Sequence, residues 1–209
     1  MNFVPPRIYP ITDAPRSGLS HRAQAERLIA GGARLIQLRD KSLTSQDFYE
    51  DAVETIAYAR QHAVRVIIND RVDIALYSRA DGVHLGQDDL PPEEARRMLG
   101  SDAIIGYSTH SIEQAMTATR LPIDYIAIGP IFPTRSKQDP DAAVGLNGLK
   151  DVRKAVDNIP LVAIGGINPG NLRSVFDAGA NSAAMISALL ARPDIRSMNA
   201  LSGVDCDPM

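Results

Sequence analysis

The sequence predicts an α/β protein built as a single (β/α)8 barrel of the TIM type, and three observations carry that expectation. Short apolar, β-branched segments alternate with segments of helical periodicity, and eight such pairs follow one another at intervals of roughly 20 to 30 residues. Several of the apolar segments end abruptly in polar residues, as in Ile67-Ile68-Asn69-Asp70 and Val83-His84-Leu85-Gly86-Gln87-Asp88-Asp89. Buried parallel strands have that pattern where they deliver side chains to a site at their carboxyl ends. Finally, no Gly-x-Gly-x-x-Gly follows the first strand, so the structural alternative, an open doubly wound sheet, lacks its phosphate loop.

Taken in order, Arg7 to Thr12 reads as the first strand and Leu19 to Ala30 as a helix stopped by Gly31-Gly32. Arg34 to Arg39 is the second strand, followed by a helix from Ser45 to His62 with Thr44 or Ser45 as N-cap. Arg65 to Asn69, Val83 to Gly86, Ile104 to Ser108 and Tyr125 to Gly129 are strands three to six. Between them lie helices at Val72 to Tyr77, from Pro91-Pro92-Glu93-Glu94, and from Ser111; proline and carboxylates suit a helix N-terminus. The rhythm then breaks at Pro130 to Leu146, a polar stretch too long for a plain connector and read as a mobile active-site loop. A helix from Gly148 to Val156, a strand at Leu161 to Gly165, a helix from Pro169 to Ala178 and a strand at Ala183 to Ser187 complete the set.

At 209 residues and 44% hydrophobic content, the chain can bury one sizeable core. Residues 1–209 are therefore one domain, with the barrel at about 7–190 and a polar tail at about 195–209. A net charge of −3 argues against a general electrostatic hold on nucleic acid or anionic lipid, and leaves small molecules as the partners. Without a long apolar run or a signal-peptide pattern, the expected location is cytoplasmic. The one cysteine, Cys206, can form neither an internal disulfide nor a zinc cluster. Nothing in the sequence excludes a homo-oligomer.

Barrel active sites gather at the carboxyl ends of the strands, where this chain places three groups. Gln37, Arg39 and Lys41 put an amide, a guanidinium and an ammonium on one rim segment, suited to a phosphate or diphosphate, or else to pairing with Asp40 and Asp47. Asp70 and Asp89, at the ends of consecutive strands, can hold a hard cation such as Mg²⁺; alone, Asp70 reads equally well as a helix N-cap. Ile164-Gly165-Gly166-Ile167-Asn168 with Met185-Ile186-Ser187 offers backbone amides for a phosphate, or is simply a glycine-rich turn. His84 reads as a structural histidine more readily than as a proton shuttle, while His21 and His62 read as surface helix positions. Two anion sites, one beside a metal pair, suggest transfer between a diphosphate substrate and a phosphorylated acceptor.

Five segments then resemble the signatures of the thiamine-phosphate synthase family: Gln37-Leu38-Arg39-Asp40-Lys41, Ile68-Asn69-Asp70, Ala80 to Asp89, Gly129 to Lys137, and Ala163 to Ile167. The match runs from about Ile8 to Leu190 in the family's order. The resemblance implies that 4-amino-2-methyl-5-(diphosphooxymethyl)pyrimidine is joined to a thiazole phosphate, or its carboxylate, through Mg-assisted ionisation of the diphosphate. It assigns the Gln37–Lys41 segment, including Leu38 and Asp40, and Asn69 to the pyrimidine diphosphate, and Asp70 and Asp89 to Mg²⁺. Arg39, Lys41, Ser108 and Lys137 become the catalytic residues; Thr134, Arg135 and Ser136 line the thiazole phosphate site, and Gly166, Ile186 and Ser187 cradle its phosphate. A thiazole tautomerase of the same superfamily is the alternative, one in which a histidine near His110 acts as acid or base.

Overall fold

The computed structural model describes residues 3–134 and 142–186. Eight strands, β1 (Ile8–Pro10), β2 (Leu35–Leu38), β3 (Arg65–Asn69), β4 (Gly82–Leu85), β5 (Ile104–Thr109), β6 (Tyr125–Ile128), β7 (Leu161–Ile164) and β8 (Ser182–Met185), lie side by side in the order β1-β8-β7-β6-β5-β4-β3-β2. Every pairing is parallel. A parallel bridge from Ile11 to Gln37, with the Thr12 N–H donating to the Gln37 carbonyl at 2.9 Å, joins β1 to β2 and closes the barrel. The helices are α1 (Ala14–Ser17), α2 (His21–Ala30), α3 (Ser45–Gln61), α4 (Val72–Ser78), α5 (Pro92–Leu99), α6 (Ile112–Ala118), α7 (Gly145–Ala155) and α8 (Leu172–Asp177).

Strand alternation sorts the apolar residues into two cores. On β3, Val66 and Ile68 face the helices while Ile67 faces the lumen, where it joins Leu35, Ile104, Tyr125, Ala127, Val162 and Ala184. Because both faces are buried, the strands read as continuous apolar runs instead of alternating ones. Helix starts are set locally: the hydroxyls of Ser20, Thr44 and Ser111 accept from the N–H groups of Ala23, Asp47 and Gln114.

Several boundaries differ from expectation. A short unexpected helix, α1, capped by Asp13, precedes the expected first helix, which begins at His21 instead of Leu19 because Ser20 caps it. Helix α7 begins at Gly145, three residues before the expected Gly148, because the Val144 and Gly145 N–H groups donate to the carbonyls of Pro130 and Ile131 (2.8 and 3.1 Å). Those two bonds pin the base of the long loop. The last strand ends at Met185 instead of Ser187. Ser187, the tail, and the loop residues Arg135, Ser136 and Lys137 lie outside the described residues.

The amino end of the barrel repeats one device. The residue before each of three even strands, Asp81, Asp124 and Asn181, accepts from the backbone N–H of Val66, Ile105 and Leu161 on the preceding odd strand (2.8, 2.7 and 2.8 Å). Arginines from the helix that precedes each odd strand (α3, α5 and α7) lock these corners. Arg60 donates to the Arg79 carbonyl, Arg96 to Asp124 and the Pro122 carbonyl, and Arg153 to Asn181 and the Ile159 carbonyl.

Candidate active site

The carboxyl ends of the strands surround a cavity of about 800 Å³. On the β2 side, Gln37, Arg39 and Lys41 line it. Pleating turns Leu38 the other way, into the fully buried layer between barrel and helices. Asp40 also lies off the wall, because its carboxylate closes the turn after β2. Oδ1 accepts from the Ser42 and Leu43 N–H groups and the Ser42 hydroxyl (2.7, 2.8 and 2.7 Å), and Oδ2 meets His21 Nε2 at 3.2 Å. Burial raises the Asp40 pKa, but these hydrogen bonds and His21 outweigh it and leave it below the ordinary carboxylate value. His21 is thus not the surface residue its helix position suggests. It is fully buried, its Nδ1 sits 2.6 Å from Thr12 Oγ1, and it braces β1 against the β2 turn.

The buried carboxylate of Asp13 lies 4.0 Å from Arg39 and 3.5 Å from Arg16, which also lines the cavity, so it helps orient both guanidiniums. Next to them Lys41 pairs with Asp70. Asp70 occupies the left-handed region at φ 62°, and Arg71 takes the N-cap position of α4 without a side-chain cap. The N-cap reading of Asp70 is therefore overturned. Left-handed backbone at a non-glycine residue carries a conformational cost, and it places this carboxylate beside that of Asp89. Asp89 accepts from the Gly86 N–H at 2.7 Å. Burial raises its pKa, the neighbouring Asp70 adds to the rise, and the Gly86 bond and Lys41 oppose it. Two carboxylates pressed together on the half-buried rim are a donor set for a small hard cation that completes its shell with phosphate oxygens and water. Among the described residues no group of three or more His, Cys, Asp or Glu side chains forms a larger metal cluster.

Asn69, His84 and Ser108 complete this wall. Below them a chain of side chains crosses the lumen. Gln37 Nε2 donates to the Tyr9 hydroxyl (3.2 Å), Tyr9 meets the Tyr125 hydroxyl (3.2 Å), Tyr125 meets His84 Nδ1 (2.9 Å), and His84 Nε2 meets Ser108 Oγ (2.8 Å). Burial lowers the His84 pKa to about 4, so the ring is neutral at pH 7, and burial raises both tyrosines. Gly106 makes room for this chain: a Cβ there would lie 2.0 Å from Tyr125 Cζ and 2.5 Å from His84 Nδ1. Tyr9, Tyr125 and Arg16 are cavity residues that the sequence reading missed. An interior strand glycine was the available signal for close approach.

The opposite wall comes from β6, β7 and β8. Gly165 and Gly166 have φ of 97° and 65°, and a Cβ on either would strike Pro130 or Phe132 at 2.5 to 2.7 Å. The Phe132 N–H and Asn171 Nδ2 take up the carbonyls of Gly165 and Gly166 (3.1 and 3.0 Å). Thr134 and Ile186 line the cavity on this side. His110 donates from Nδ1 to the Gly129 carbonyl at 2.7 Å.

Fold and site together define a class: a (β/α)8 barrel presenting cations and paired carboxylates on one wall and a glycine arch on the other, chemistry suited to phosphorylated small molecules. Comparison with known proteins narrows it. Residues 8–189 match the family described as thiamine monophosphate synthase. The thiamine-phosphate synthase of Chloroflexus aurantiacus is 45% identical over 203 residues, covering 95% of this chain and 93% of its own. That of Methanospirillum hungatei is 46% identical over 191 residues, covering 90% and 91%. The solved thiamine phosphate pyrophosphorylase of Pyrococcus furiosus superposes with a TM-score of 0.84 at 33% identity, covering 94% and 95%. The chain belongs to the thiamine monophosphate synthase family.

Proposed function

We propose that the chain condenses the pyrimidine diphosphate with thiazole phosphate, or its carboxylate, to give thiamine phosphate and diphosphate. The activity is that of its family, thiamine-phosphate synthesis by a transferase. The observation that carries the detailed reading is the split cavity: Arg39, Lys41, Asp70 and Asp89 stand on one wall, and Gly166 and Ile186 on the other. That leaves room between two anion sites for the reacting carbon.

In this reading the bond from the pyrimidine methylene carbon to the diphosphate breaks, and its electron pair leaves on oxygen. The electron-rich aminopyrimidine stabilises the resulting cation. The thiazole nitrogen then shares its lone pair with that carbon to form the new C–N bond. No protein nucleophile takes part, so the residues act by placement and charge. Arg39, steadied by Asp13, and Lys41 neutralise the departing diphosphate, and the family resemblance adds Lys137. Gln37 and Asn69 orient the pyrimidine. Asp70 and Asp89 would hold Mg²⁺, which when bound supplies further positive charge to the diphosphate oxygens. The Gly166 and Ile186 side receives the thiazole phosphate, with Thr134 beside it.

Purified protein incubated with both substrates, with and without Mg²⁺, tests this reading. Thiamine phosphate is expected, and only with the metal. Product formation in rigorously metal-free buffer would overturn the role given to Asp70 and Asp89. Tautomerisation of the thiazole carboxylate phosphate without any thiamine phosphate would move the chain to the tautomerase alternative. No helix among the described residues is long and apolar enough to cross a membrane.

A further inference from the structure

The hydrogen-bonded chain Gln37, Tyr9, Tyr125, His84 and Ser108 draws its members from strands β2, β1, β6, β4 and β5, and the mechanism above leaves most of it unused. Its protons can be followed from one end. An amide N–H only donates, so the Gln37 end fixes Tyr9 oxygen as an acceptor. Tyr9 then gives its own proton to Tyr125, and Tyr125 gives its proton to His84 Nδ1. A neutral imidazole that accepts at Nδ1 carries its proton on Nε2, and that N–H donates to Ser108 Oγ. The Ser108 hydroxyl proton is left with no place inside the chain and points to the cavity that Ser108 lines.

The opposite direction fails at its far end. If Ser108 donated to Nε2, the Nδ1 proton would go to Tyr125 and the Tyr125 proton to Tyr9. Tyr9 oxygen would then receive from both Gln37 and Tyr125, and its own proton would have no acceptor among the described residues; Tyr9 touches the cavity but is only 1% exposed, whereas Ser108 is half-buried at its wall. Two further points hold the first direction. A doubly protonated His84 ring fails in the same way, because its Nδ1 proton would go to Tyr125 and the Tyr9 proton would again have no acceptor among the described residues. Gly106, where a Cβ would strike both Tyr125 and His84, keeps the two rings within hydrogen-bond reach.

We propose that Tyr9, Tyr125 and His84 are positioning residues that hold the Ser108 hydroxyl as a fixed donor aimed at the departing diphosphate oxygen. The proposal rests on the synthase reading for the identity of that oxygen. No proton is transferred: Ser108 donates a hydrogen bond that strengthens as the oxygen gains charge, and the chain cannot act as a relay because an amide closes its other end. A hydroxyl free to rotate would spend part of its time as an acceptor, which is the wrong partner for a leaving anion.

The first test needs no substrate. In protein labelled with ¹⁵N-histidine, long-range ¹H–¹⁵N correlation of His84 is expected to show the Nε2–H tautomer at pH 7; the Nδ1–H tautomer would overturn the proposal. The second test is kinetic. Tyr125→Phe keeps the ring but removes the donor, and is expected to lower kcat about 10- to 100-fold with the KM for thiazole phosphate unchanged, as for other groups that orient a catalytic residue. In a Ser108→Ala background the same substitution is expected to have no further effect on kcat. An equal loss in both backgrounds would show that Tyr125 acts otherwise than through Ser108. A wild-type protein that makes no thiamine phosphate would instead sink the synthase reading, and the tautomer measurement would still stand.

Discussion

The two ends of the barrel use the same residue types for opposite purposes. At the amino end, Asp81, Asp124 and Asn181 each accept a backbone N–H from the neighbouring strand, and helix arginines close the corners, so polar groups are spent inside the chain and repeat every two strands. At the carboxyl end, Asp70 and Asp89 press against each other, Lys41 is mostly exposed, and Arg39 and Arg16 share one carboxylate 3.5 to 4.0 Å away. Repetition and satisfaction mark stability, whereas crowded like charge and left-handed backbone mark a site waiting for a ligand. The comparison teaches that charge pairing alone does not tell a structural corner from a reactive one; what matters is whether the pair is complete without a ligand.

That contrast can be broken at either end. The largest effect is expected at the top: Arg39→Ala should lower kcat by about 10²- to 10³-fold, or about 3–4 kcal/mol of lost stabilisation of the departing anion. Its melting temperature should barely move. Steady-state kinetics beside a thermal melt would check both halves.

The buried His84 gives the next largest effect, on stability and through pH. Its folded pKa is depressed to about 4 from 6.5, so both states are neutral above pH 6.5 and no contribution arises there. As pH falls below 6.5 the unfolded chain takes up the proton first, and stability is lost progressively until about pH 4, by about 3 kcal/mol in all. Urea unfolding at pH 7 and pH 4.5 should therefore show a smaller acid loss in His84→Gln than in wild type. Identical losses would contradict the assignment.

At the amino end, Asp124→Ala removes the acceptor for the Ile105 N–H and the partner of Arg96, both at 2.7 Å. It should cost about 2 kcal/mol of stability, read by denaturant unfolding, with kcat of the folded protein unchanged. The smallest effect is expected for Asp124→Asn. Asn181 already performs this task at β7 through an amide oxygen, accepting from Leu161 at 2.8 Å, so an amide at 124 should lose about 1 kcal/mol or less.

Much of this was legible in the residues. The carboxyl rim stood out because Gln37, Asn69, Asp70 and Asp89 interrupt apolar runs, and the family motifs named their roles. The parallel topology followed from the alternation of short apolar and helical segments. What escaped depends on contacts between distant strands. A tyrosine in a buried strand reads as core until register puts it in the lumen, so Tyr9 and Tyr125 were not recognised as polar members of the site. His21 reads as a surface position because helical periodicity describes one helix and says nothing of Thr12 and Asp40, which meet its ring nitrogens. Asp70 reads as an N-cap by its place before α4, but the chain turns left-handed there and hands that position to Arg71. Leu38 and Asp40, inside a functional motif, serve the core and the turn, because a pleated strand can offer only alternate residues to a lumen.

The central claim, that the carboxyl end is built for a ligand and the amino end for the fold, is tested most directly by Asp70→Asn. Asparagine tolerates the left-handed backbone and removes the charge that crowds Asp89, while the lost pair with the mostly exposed Lys41 is worth little. Measured together, Mg²⁺-dependent kcat should fall at least about 100-fold while the melting temperature holds or rises. A large drop in melting temperature with activity retained would show that Asp70 is a structural corner like Asp124, and the division between the two ends would fail.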